Sequence, residues 1–214
     1  MPTKKRIRAP ARKPRQQRKR AAPGRAPAAA AAKTTIRRLR SELARALRKI
    51  EELQASADTD FLLGIPNRRG FERELARALA YIKRYRASGA LVVLDVDRLK
   101  PINDAFGHAA GDQVLKAIVA VLTSQVRSSD IVGRLGGDEF ALLLWNLGET
   151  DAKAKAAALE DTIDRLTFQF GGSTITAGAS AGVAMLGSHA ESSRALEEAD
   201  RAMYLRKAQR RREG

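Results

Sequence analysis

Cysteine is absent from this 214-residue sequence, so disulfide bonds and thiolate metal sites are excluded and a reducing compartment is permitted. No apolar run approaches the ~20 residues that a helix needs to span a bilayer. The basic N-terminus also lacks the apolar block of a secretory signal. These absences make a soluble cytoplasmic protein the default expectation. Apolar residues still form 44% of the chain, which is enough for the core of one domain with an appendage.

Acidic residues are missing from residues 1–40, which hold fifteen lysines and arginines. The net charge of +16 therefore belongs almost wholly to this tail, since the other residues carry 25 basic and 24 acidic side chains. Residues 1–33 contain too few large apolar side chains to offset the entropy of ordering, which predicts disorder. Such a tail suits polyanions, either nucleic acid (with nucleoid association) or an anionic membrane surface. The alternative is a solubilising tail without a fixed partner.

Residues 34–57 have a seven-residue apolar repeat that predicts a helix capped by Thr34 or Thr35. The apolar positions of the repeat are Ile36, Leu39, Leu43, Ala46, Ile50, Leu53 and Ala57. Three heptads favour a short coiled coil that joins two copies of the chain as a homodimer. The alternative is a helix that packs on its own domain.

Apolar periodicity predicts the remaining helices and strands. Asn67 is expected to cap a helix that runs to about Ser88, with an apolar stripe formed by Phe71, Leu75, Leu79 and Ile82. Residues 90–94 form a continuous apolar run, which predicts a strand buried on both faces. Further helices are predicted over residues 113–126, 149–167 and 192–211, and a further strand over residues 174–185.

Gly136-Gly137 lies between two short apolar runs and predicts a tight hairpin, because both glycines tolerate positive φ. Asp138 and Glu139 follow the turn directly. Two adjacent carboxylates between buried strands are costly unless something binds them. The alternative is a solvated turn with ordinary turn acids.

A second pair of carboxylates, Asp95 and Asp97, follows the predicted strand at residues 90–94. Asp95 together with Asp138 would form a hard-oxygen site, which suits Mg²⁺ better than zinc. The alternative is that Asp95 merely caps the next helix.

The segment from Arg134 to Phe140, with sequence RLGGDEF, resembles the signature hairpin of the GGDEF family, the diguanylate cyclases. Members of this family join two GTP molecules into cyclic di-GMP. Matching phrases occur in the same order around residues 60–71, 95–112 and 199–211, so the resemblance covers roughly residues 58–212. The chain departs from the family pattern at Leu63, Leu99, Arg210 and Arg212, where Thr, Phe, Gly and Asn are usual.

The resemblance implies an α/β fold of the α+β kind over residues 58–214, a polymerase-palm-like βααββαβ domain with a largely antiparallel sheet. It implies a homodimer in which two GTP-loaded protomers face each other. Asp95, the carbonyl of Val96 and Asp138 would hold two Mg²⁺, with Mn²⁺ as an alternative. Asp138 would accept the proton of the ribose 3′-OH, and Glu139 would be the second catalytic acid.

The resemblance also implies the substrate contacts. Asn103 and Asp112 would bind guanine, and backbone N–H groups of the loop at Arg98 and Leu99 would face phosphate. The cations that would clamp the phosphates are Lys100, Lys207 and Arg211. His108 is expected to support the loop, and His189 to be a loop residue.

Arg127 and Asp130 stand at the spacing of the family's inhibitory site, where the product cyclic di-GMP binds away from the active centre. The alternative is a plain surface ion pair worth ~0–1 kcal/mol. Two other function classes stay open at this point. One is a non-catalytic cyclic di-GMP receptor that uses only this pair, and the other is a nucleic-acid-binding protein whose globular part makes dimers.

Overall fold

The structure, a computed structural model, describes residues 25–213, apart from the side chains of residues 25–32, 51–56 and 213. Its helices and strands are, in chain order, α1 (Arg25–Ala57), α2 (Arg68–Tyr85), β1 (Gly89–Asp97), α3 (Leu99–Phe106), α4 (His108–Ser124), β2 (Ile131–Arg134), β3 (Glu139–Trp145), α5 (Glu149–Asp164), β4 (Thr167–Phe170), β5 (Ser173–Thr176), β6 (Gly178–Leu186) and α6 (Ser192–Glu213). The chain divides into two compact units, residues 1–50 and 51–214.

Helix α1 begins at Arg25, inside the segment that the sequence predicted to be disordered. Residues 25–33 are helical because alanine, which dominates them, has the highest helix propensity of the amino acids. Thr34 and Thr35 lie inside the helix and do not cap it. Residues 1–24, the rest of the predicted disordered tail, lie outside the described residues. Large apolar side chains of α1 are about half exposed, namely Ile36, Leu39, Leu43, Leu47 and Ile50.

Helix α2 begins as predicted, because the side chain of Asn67 accepts a hydrogen bond from the Gly70 N–H. Its predicted apolar stripe is buried: Phe71, Leu75, Leu79 and Ile82. The helix ends at Tyr85, before the predicted Ser88, because Arg86 takes the left-handed conformation with φ of 53°.

The main sheet has the strand order β2-β3-β1-β6, and every neighbouring pair in it is antiparallel. The order of elements after α2 is β1-α3-α4-β2-β3-α5-β6, with β4 and β5 inserted before β6. This confirms the predicted α+β fold with its βααββαβ order and antiparallel sheet.

Strand β1 is central and buried along its length except at Asp97. Its even-numbered residues Val92 and Leu94 belong to the core beneath α4 and α5. Its odd-numbered residues Leu91 and Val93 belong to the core beneath α2 and α6. The continuous apolar run therefore predicted burial on both faces correctly, since helices cover each face of the sheet.

The small hairpin of β4 and β5 was not predicted. The helix predicted over residues 149–167 ends at Asp164, and the strand predicted over 174–185 is divided between β5 and β6. Gly171 and Gly172, with φ of 54° and 80°, make the turn of this hairpin. Alternation of Phe168 and Phe170 with polar neighbours was the sequence signal for a strand here.

Candidate active site

The turn between β2 and β3 lies against the carboxyl end of β1. Asp95 of β1 pairs in register with Glu139 of β3, and the Val96 N–H donates to the Asp138 carbonyl oxygen over 2.9 Å. The antiparallel pairing of the two central strands thus brings Asp95 and Asp138, 43 positions apart in the sequence, to one end of the sheet.

The turn itself differs from the predicted two-residue hairpin. Four residues, 135–138, separate the strands, and positive φ occurs at neither Gly136 nor Gly137. Arg134 closes this wider loop with its guanidinium, whose Nη2 donates to the Gly137 carbonyl over 2.7 Å and whose Nη1 donates to Asp60 Oδ2 over 3.0 Å. This guanidinium thus holds the turn through its carbonyl oxygens, and neither glycine adopts the left-handed conformation.

Asp60 anchors the segment before α2 to this turn. Its other carboxylate oxygen, Oδ1, accepts from the backbone N–H groups of Leu62 and Leu63. Leu63 contributes only its backbone here, so Leu in the place of the family's usual Thr keeps these hydrogen bonds.

Among the acidic groups of the site, Asp95 has a shifted pKa. Burial raises the pKa of Asp95 above the usual aspartate value, and the charges of Asp138 and Asp97 raise it further, whereas its ion pair with Lys207 lowers it. The net direction is upward. A buried carboxylate beside two others is a group that gains from a neighbouring cation.

Lys207 of α6 supplies such a cation from within the chain. Its ammonium pairs with Asp95 and lies 3.8 Å from Asp97 Oδ1. Lys207 was predicted to bind phosphate, and the structure places its charge on the carboxylates of β1.

A cavity of about 840 Å³ opens beside these groups, between the start of α3, the β2–β3 turn and α6. Six cationic side chains line it together with Asp97, Asp138 and Asp164: Arg98, Lys100, Arg206, Lys207, Arg210 and Arg211. The structure therefore brings together the predicted phosphate-binding cations and the predicted catalytic Asp138.

The start of α3 faces the same cavity through Leu99 and Lys100. Arg98, which precedes the helix, has a left-handed φ of 67°, and no side chain caps the helix. Backbone N–H groups at an uncapped helix N-terminus favour anions. Leu99, where the family usually has Phe, is buried and anchors this end of α3.

A second cavity, of about 420 Å³, adjoins Asp138 from the side of α4 and contains both predicted guanine ligands, Asn103 and Asp112. Asn103 Oδ1 is buried and no described residue donates a hydrogen bond to it, so its capacity to accept one is open. Gly111 makes room for it, because a Cβ at this position would overlap that oxygen. Asp104 and His108 also line this cavity; sequence reasoning missed Asp104.

Glu139 contacts a residue that sequence reasoning did not assign to the site. Its Oε2 lies 3.3 Å from Arg68 Nη2, and Arg68 Nε also donates to the Leu135 carbonyl over 2.7 Å. Arg68 lies within residues 60–71, one of the segments that resemble the family, so this resemblance was the available signal.

Two ion pairs, Arg206 with Glu160 and Arg210 with Asp164, join α5 to α6 beside the cavity. We call them the ladder, and the sequence analysis did not predict them. Arg206 Nη2 lies 2.9 Å from Glu160 Oε2, and Arg210 Nη2 lies 2.7 Å from Asp164 Oδ2. Both acids also accept from backbone N–H groups on the open side of β6, Glu160 from Ala181 over 2.7 Å and Asp164 from Ala179 over 3.3 Å. The spacing of four residues on each helix was the available signal.

The predicted inhibitory pair lies at the other end of β3. Asp130 Oδ2 accepts from the Arg127 N–H over 2.9 Å, and Asp130 Oδ1 accepts from the Trp145 N–H over 3.1 Å. The Arg127 side chain is exposed. Asp130 thus fixes the turn before β2, and the guanidinium of Arg127 faces solvent.

Divalent cations fit the donor set at the β1 end, although among the side chains that the structure describes no three of His, Cys, Asp or Glu form a metal-binding cluster. Two carboxylates, Asp95 and Asp138, and backbone carbonyls beside them are the hard oxygen donors that Mg²⁺ prefers. The raised pKa of Asp95 agrees with a site that accepts positive charge.

Among the described helices, none is long and apolar enough to cross a membrane.

Comparison with known proteins agrees with this geometry. A family model described as the diguanylate cyclase GGDEF domain matches residues 57–213. Diguanylate cyclase TpbB of Pseudomonas aeruginosa is 42% identical over 161 residues, which cover 74% of this chain and 37% of TpbB. The chain therefore spans well under half the length of this relative.

Two solved structures resemble the fold closely. The GGDEF domain of Pseudomonas aeruginosa TpbB has 40% identity and a TM-score of 0.66, with 71% of this chain and 89% of that one covered. The GGDEF domain of DgcB from Caulobacter crescentus, in complex with c-di-GMP, has 27% identity and a TM-score of 0.68, with 71% and 91% covered.

Proposed function

Because the chain belongs to the GGDEF family of diguanylate cyclase domains, we propose that it condenses two GTP molecules into cyclic di-GMP and two pyrophosphates. The observation that carries this proposal is the meeting of Asp95, Asp138 and the two cavities at one end of β1. One cavity is rich in cations that suit a triphosphate, and the other holds a buried acceptor that suits a purine edge.

Asn103 and Asp112 bind guanine in this proposal. The unpartnered Asn103 Oδ1 and the Asp112 carboxylate both accept hydrogen bonds, and guanine presents donors at its ring N–H and amino group. Adenine has an acceptor at the ring nitrogen, so it would leave a buried oxygen unpaired. This polar mismatch is the basis of selection for GTP.

The phosphates lie in the larger cavity, between the N-terminus of α3 and the cations of α6. Backbone N–H groups after Arg98 and the side chains of Lys100 and Arg211 neutralise the triphosphate. Lys207 starts from its pair with Asp95 and is the cation that redistributes between carboxylate and phosphate when substrate enters.

Asp95, the Val96 carbonyl and Asp138 hold divalent cations in this proposal, Mg²⁺ or alternatively Mn²⁺. When bound, such ions supply charge neutralisation at the reacting phosphate. Asp138 accepts the proton of the ribose 3′-OH at its carboxylate, at the border of the two cavities. Glu139, held by Arg68, supports the turn that carries Asp138.

The reaction requires two protomers, because each domain provides one guanine site. Helix α1, with its exposed apolar stripe, is the proposed homodimer contact.

The basic residues 1–40 are a proposed nucleic-acid contact that would associate the enzyme with the nucleoid. Electrophoretic mobility shift at low salt, with and without residues 1–40, tests the second contact, whose affinity should fall steeply with salt.

The decisive experiment is incubation of the purified chain with GTP and Mg²⁺, followed by chromatography of the products. We expect cyclic di-GMP and pyrophosphate from the native sequence. Asp138→Ala should lower the rate at least about a thousandfold, since the site loses its proton acceptor and a cation ligand together, and its circular dichroism should stay native.

Asp161→Ala is the matched control, because Asp161 is an exposed acid of α5 outside both cavities. This variant should keep the native rate. Cyclic di-GMP formation by Asp138→Ala at the native rate would refute the role given to Asp138. Absence of product from the native chain with both metals would refute the proposed activity.

A further inference from the structure

Arg210 of α6 lines the larger cavity of the active site, at a position where the family pattern usually has Gly. Glycine has no side chain, so the guanidinium is an addition that this chain makes to the cavity. Its Nη2 donates to both carboxylate oxygens of Asp164, over 2.8 and 2.7 Å, and its Nη1 lies 3.8 Å from Glu160 Oε2. Its Nε lies on the side of β1, 3.7 Å from Asp97 Oδ2. Arg210 therefore connects the ladder to the acidic end of β1.

Asp97 is the carboxylate that Arg210 shares with Lys207. Lys207 Nζ lies 3.8 Å from Asp97 Oδ1, whereas Arg210 Nε lies nearest to Oδ2. The Ser180 hydroxyl donates to Oδ2 over 3.0 Å and so fixes the orientation of this carboxylate. Each of the two cations therefore approaches a different oxygen of Asp97.

Lys207 in turn is shared between two carboxylates, since it pairs with Asp95 and lies close to Asp97. The side chains of Asp97, Lys207 and Arg210 are only 20%, 22% and 23% exposed. Charges that are shielded from water in this way interact more strongly than the same charges on an open surface. The balance of charge among these side chains therefore affects how firmly the end of β1 holds Lys207.

Arg210 changes this balance in favour of a bound phosphate. Without its guanidinium, the full charge of Asp97 would act on Lys207, and a triphosphate would have to compete with both Asp95 and Asp97 for the ammonium. With Arg210 in place, a second cation neutralises Asp97, and its like charge weakens the hold of β1 on Lys207. The guanidinium itself stays matched by Asp164, so it has less charge to offer a phosphate than Lys207 has.

We propose that Arg210 is a positioning residue for nucleotide binding, which neutralises Asp97 so that Lys207 is available to the triphosphate. The inference rests on the proposed function for the identity of the nucleotide, GTP. Arg210 acts through Lys207 and does not itself bind phosphate. A side chain that the usual family pattern lacks therefore sets the affinity of this chain for its substrate.

Calorimetric titration of the full chain with a GTP analogue measures this affinity without turnover. The analogue has a methylene bridge between its α- and β-phosphorus atoms, and Mg²⁺ is held at one fixed concentration. Arg210→Ala should raise the Kd about tenfold, the order expected when one charged contact of a shielded site is lost. Arg210→Lys should recover most of the affinity, because it restores a cation beside Asp97. Arg212→Ala is the matched control with native affinity, since Arg212 is exposed on the same helix and also departs from the family pattern.

Asp164→Ala separates positioning from folding, because it breaks the same ion pair of the ladder as Arg210→Ala does. Both variants should lose similar stability in thermal melts, which also show that each is folded at the temperature of the titration. Asp164→Ala leaves Arg210 facing Asp97, so it should bind the analogue at least as tightly as the native chain. Equal weakening of binding in the two variants overturns the proposal and assigns Arg210 to the ladder alone.

A double-mutant cycle with Lys207→Ala tests whether Arg210 acts through Lys207. In a chain that already carries Lys207→Ala, the further change Arg210→Ala should raise the Kd by less than about twofold, because coupled residues have non-additive effects. The same tenfold loss in both backgrounds overturns the proposal, since Arg210 would then contribute to binding independently of Lys207.

The outcomes separate this proposal from the proposed function. Native affinity of Arg210→Ala for the analogue overturns the positioning role even if the native chain makes cyclic di-GMP. Weaker binding by Arg210→Ala with recovery in Arg210→Lys supports the role even if the native chain makes no product from GTP. That last result refutes the cyclase activity alone.

Discussion

Asp95 shows at the scale of a single residue how the proposed site is charged. It lies on a central strand, its neighbours include two further carboxylates, and burial raises its pKa. Lys207 offsets only part of this cost, because the net direction of the pKa stays upward despite the ion pair. Proteins accept such local instability where a ligand later relieves it.

Replacing this carboxylate should therefore stabilise the protein while it destroys activity. Because the folded pKa of Asp95 is raised, its favourable contribution to stability is present at low pH and is lost as pH rises through that pKa. With chelator present, Asp95→Asn should melt at a higher temperature than the native chain at pH 7.5, and the gap should shrink as pH falls towards 4. The native chain should gain melting temperature from Mg²⁺, and Asp95→Asn should gain little.

Asp161→Asn serves as the control for these melts, since it removes an exposed charge of the same kind. An Asp95→Asn protein that is less stable than the native chain at pH 7.5 would contradict the assigned electrostatic cost.

Gly111 is a second residue whose role is decided by one contact. A methyl group there would displace the Asn103 side chain, because the space that a Cβ would need is occupied by Asn103 Oδ1. Alanine is favoured over glycine inside a helix by about 1 kcal/mol, which offsets the cost of moving a short side chain. Gly111→Ala should therefore leave the melting temperature within a few degrees of the native value.

Activity of Gly111→Ala should nevertheless fall, with kcat/KM for GTP lower by about ten- to a hundredfold, because Asn103 no longer faces guanine. Steady-state kinetics measures this, and Gly187→Ala is the control, since space is open around Gly187. Equal kinetics for both variants would remove Asn103 from guanine recognition.

At the scale of elements, the ladder between α5 and α6 determines where the cations of the cavity lie. Glu160 and Asp164 satisfy N–H groups of the edge strand β6, which would otherwise be open. Arg206 and Arg210 then neutralise these acids and hold α6 against α5. Lys207 and Arg211 follow them directly in sequence, so the ladder orients the side of α6 that is proposed to bind phosphate.

Arg210→Ala should destabilise the domain by about 1–2 kcal/mol, the cost of leaving the charge-assisted partner Asp164 unmatched. Urea denaturation measures the loss, and a double-mutant cycle with Asp164→Ala should show that the two losses are not additive. Arg212→Ala is the control, because Arg212 is exposed on the same helix and also replaces a usual family residue. Additive losses in the cycle would show that the pair contributes nothing.

At the scale of the whole molecule, strand β3 connects the proposed active site at its first residue with the predicted inhibitory pair at its last residue. Asp138 precedes its first residue, and Trp145, its last residue, donates its N–H to Asp130, so the proposed active site and the predicted inhibitory pair are about 20 Å apart along one strand. Each domain holds one such pair of sites, and the proposed reaction needs two domains. Helix α1 carries the apolar stripe that would supply the second copy.

Leu43→Glu should lower the fraction of dimer and with it the specific activity at nanomolar concentration, because it places a charge in the centre of the apolar stripe. Raising the protein concentration should restore much of the rate, and deleting residues 34–57 should have the larger effect. Light scattering and activity across a dilution series measure both. Arg45→Glu, on another face of α1, is the control; full activity of Leu43→Glu at nanomolar concentration would exclude α1 as the dimer contact.

The resemblance to the GGDEF family implied the fold class, and local patterns of the sequence by themselves determined the strand at residues 90–94, the cap at Asn67 and the acids of the turn. These features depend on neighbours close in the chain: an apolar run, a side-chain cap, or a glycine pair followed by carboxylates. Periodicity also predicted which face of α2 is buried. Such local patterns predict the folded structure because tertiary packing buries the apolar face that each pattern already defines.

Only the tertiary structure decided which distant groups meet. The Lys207 pair with Asp95, the Arg134 contact with Asp60, the ladder of α5 and α6, and the contact of the Tyr81 and Trp145 rings all join residues from segments far apart in the chain. Sheet register and helix packing set these distances, and no pattern within one segment encodes them. The β4–β5 hairpin and the start of α1 at Arg25 were not predicted, because the alternation of a four-residue strand is too short to be distinctive and an alanine-rich run has weak periodicity.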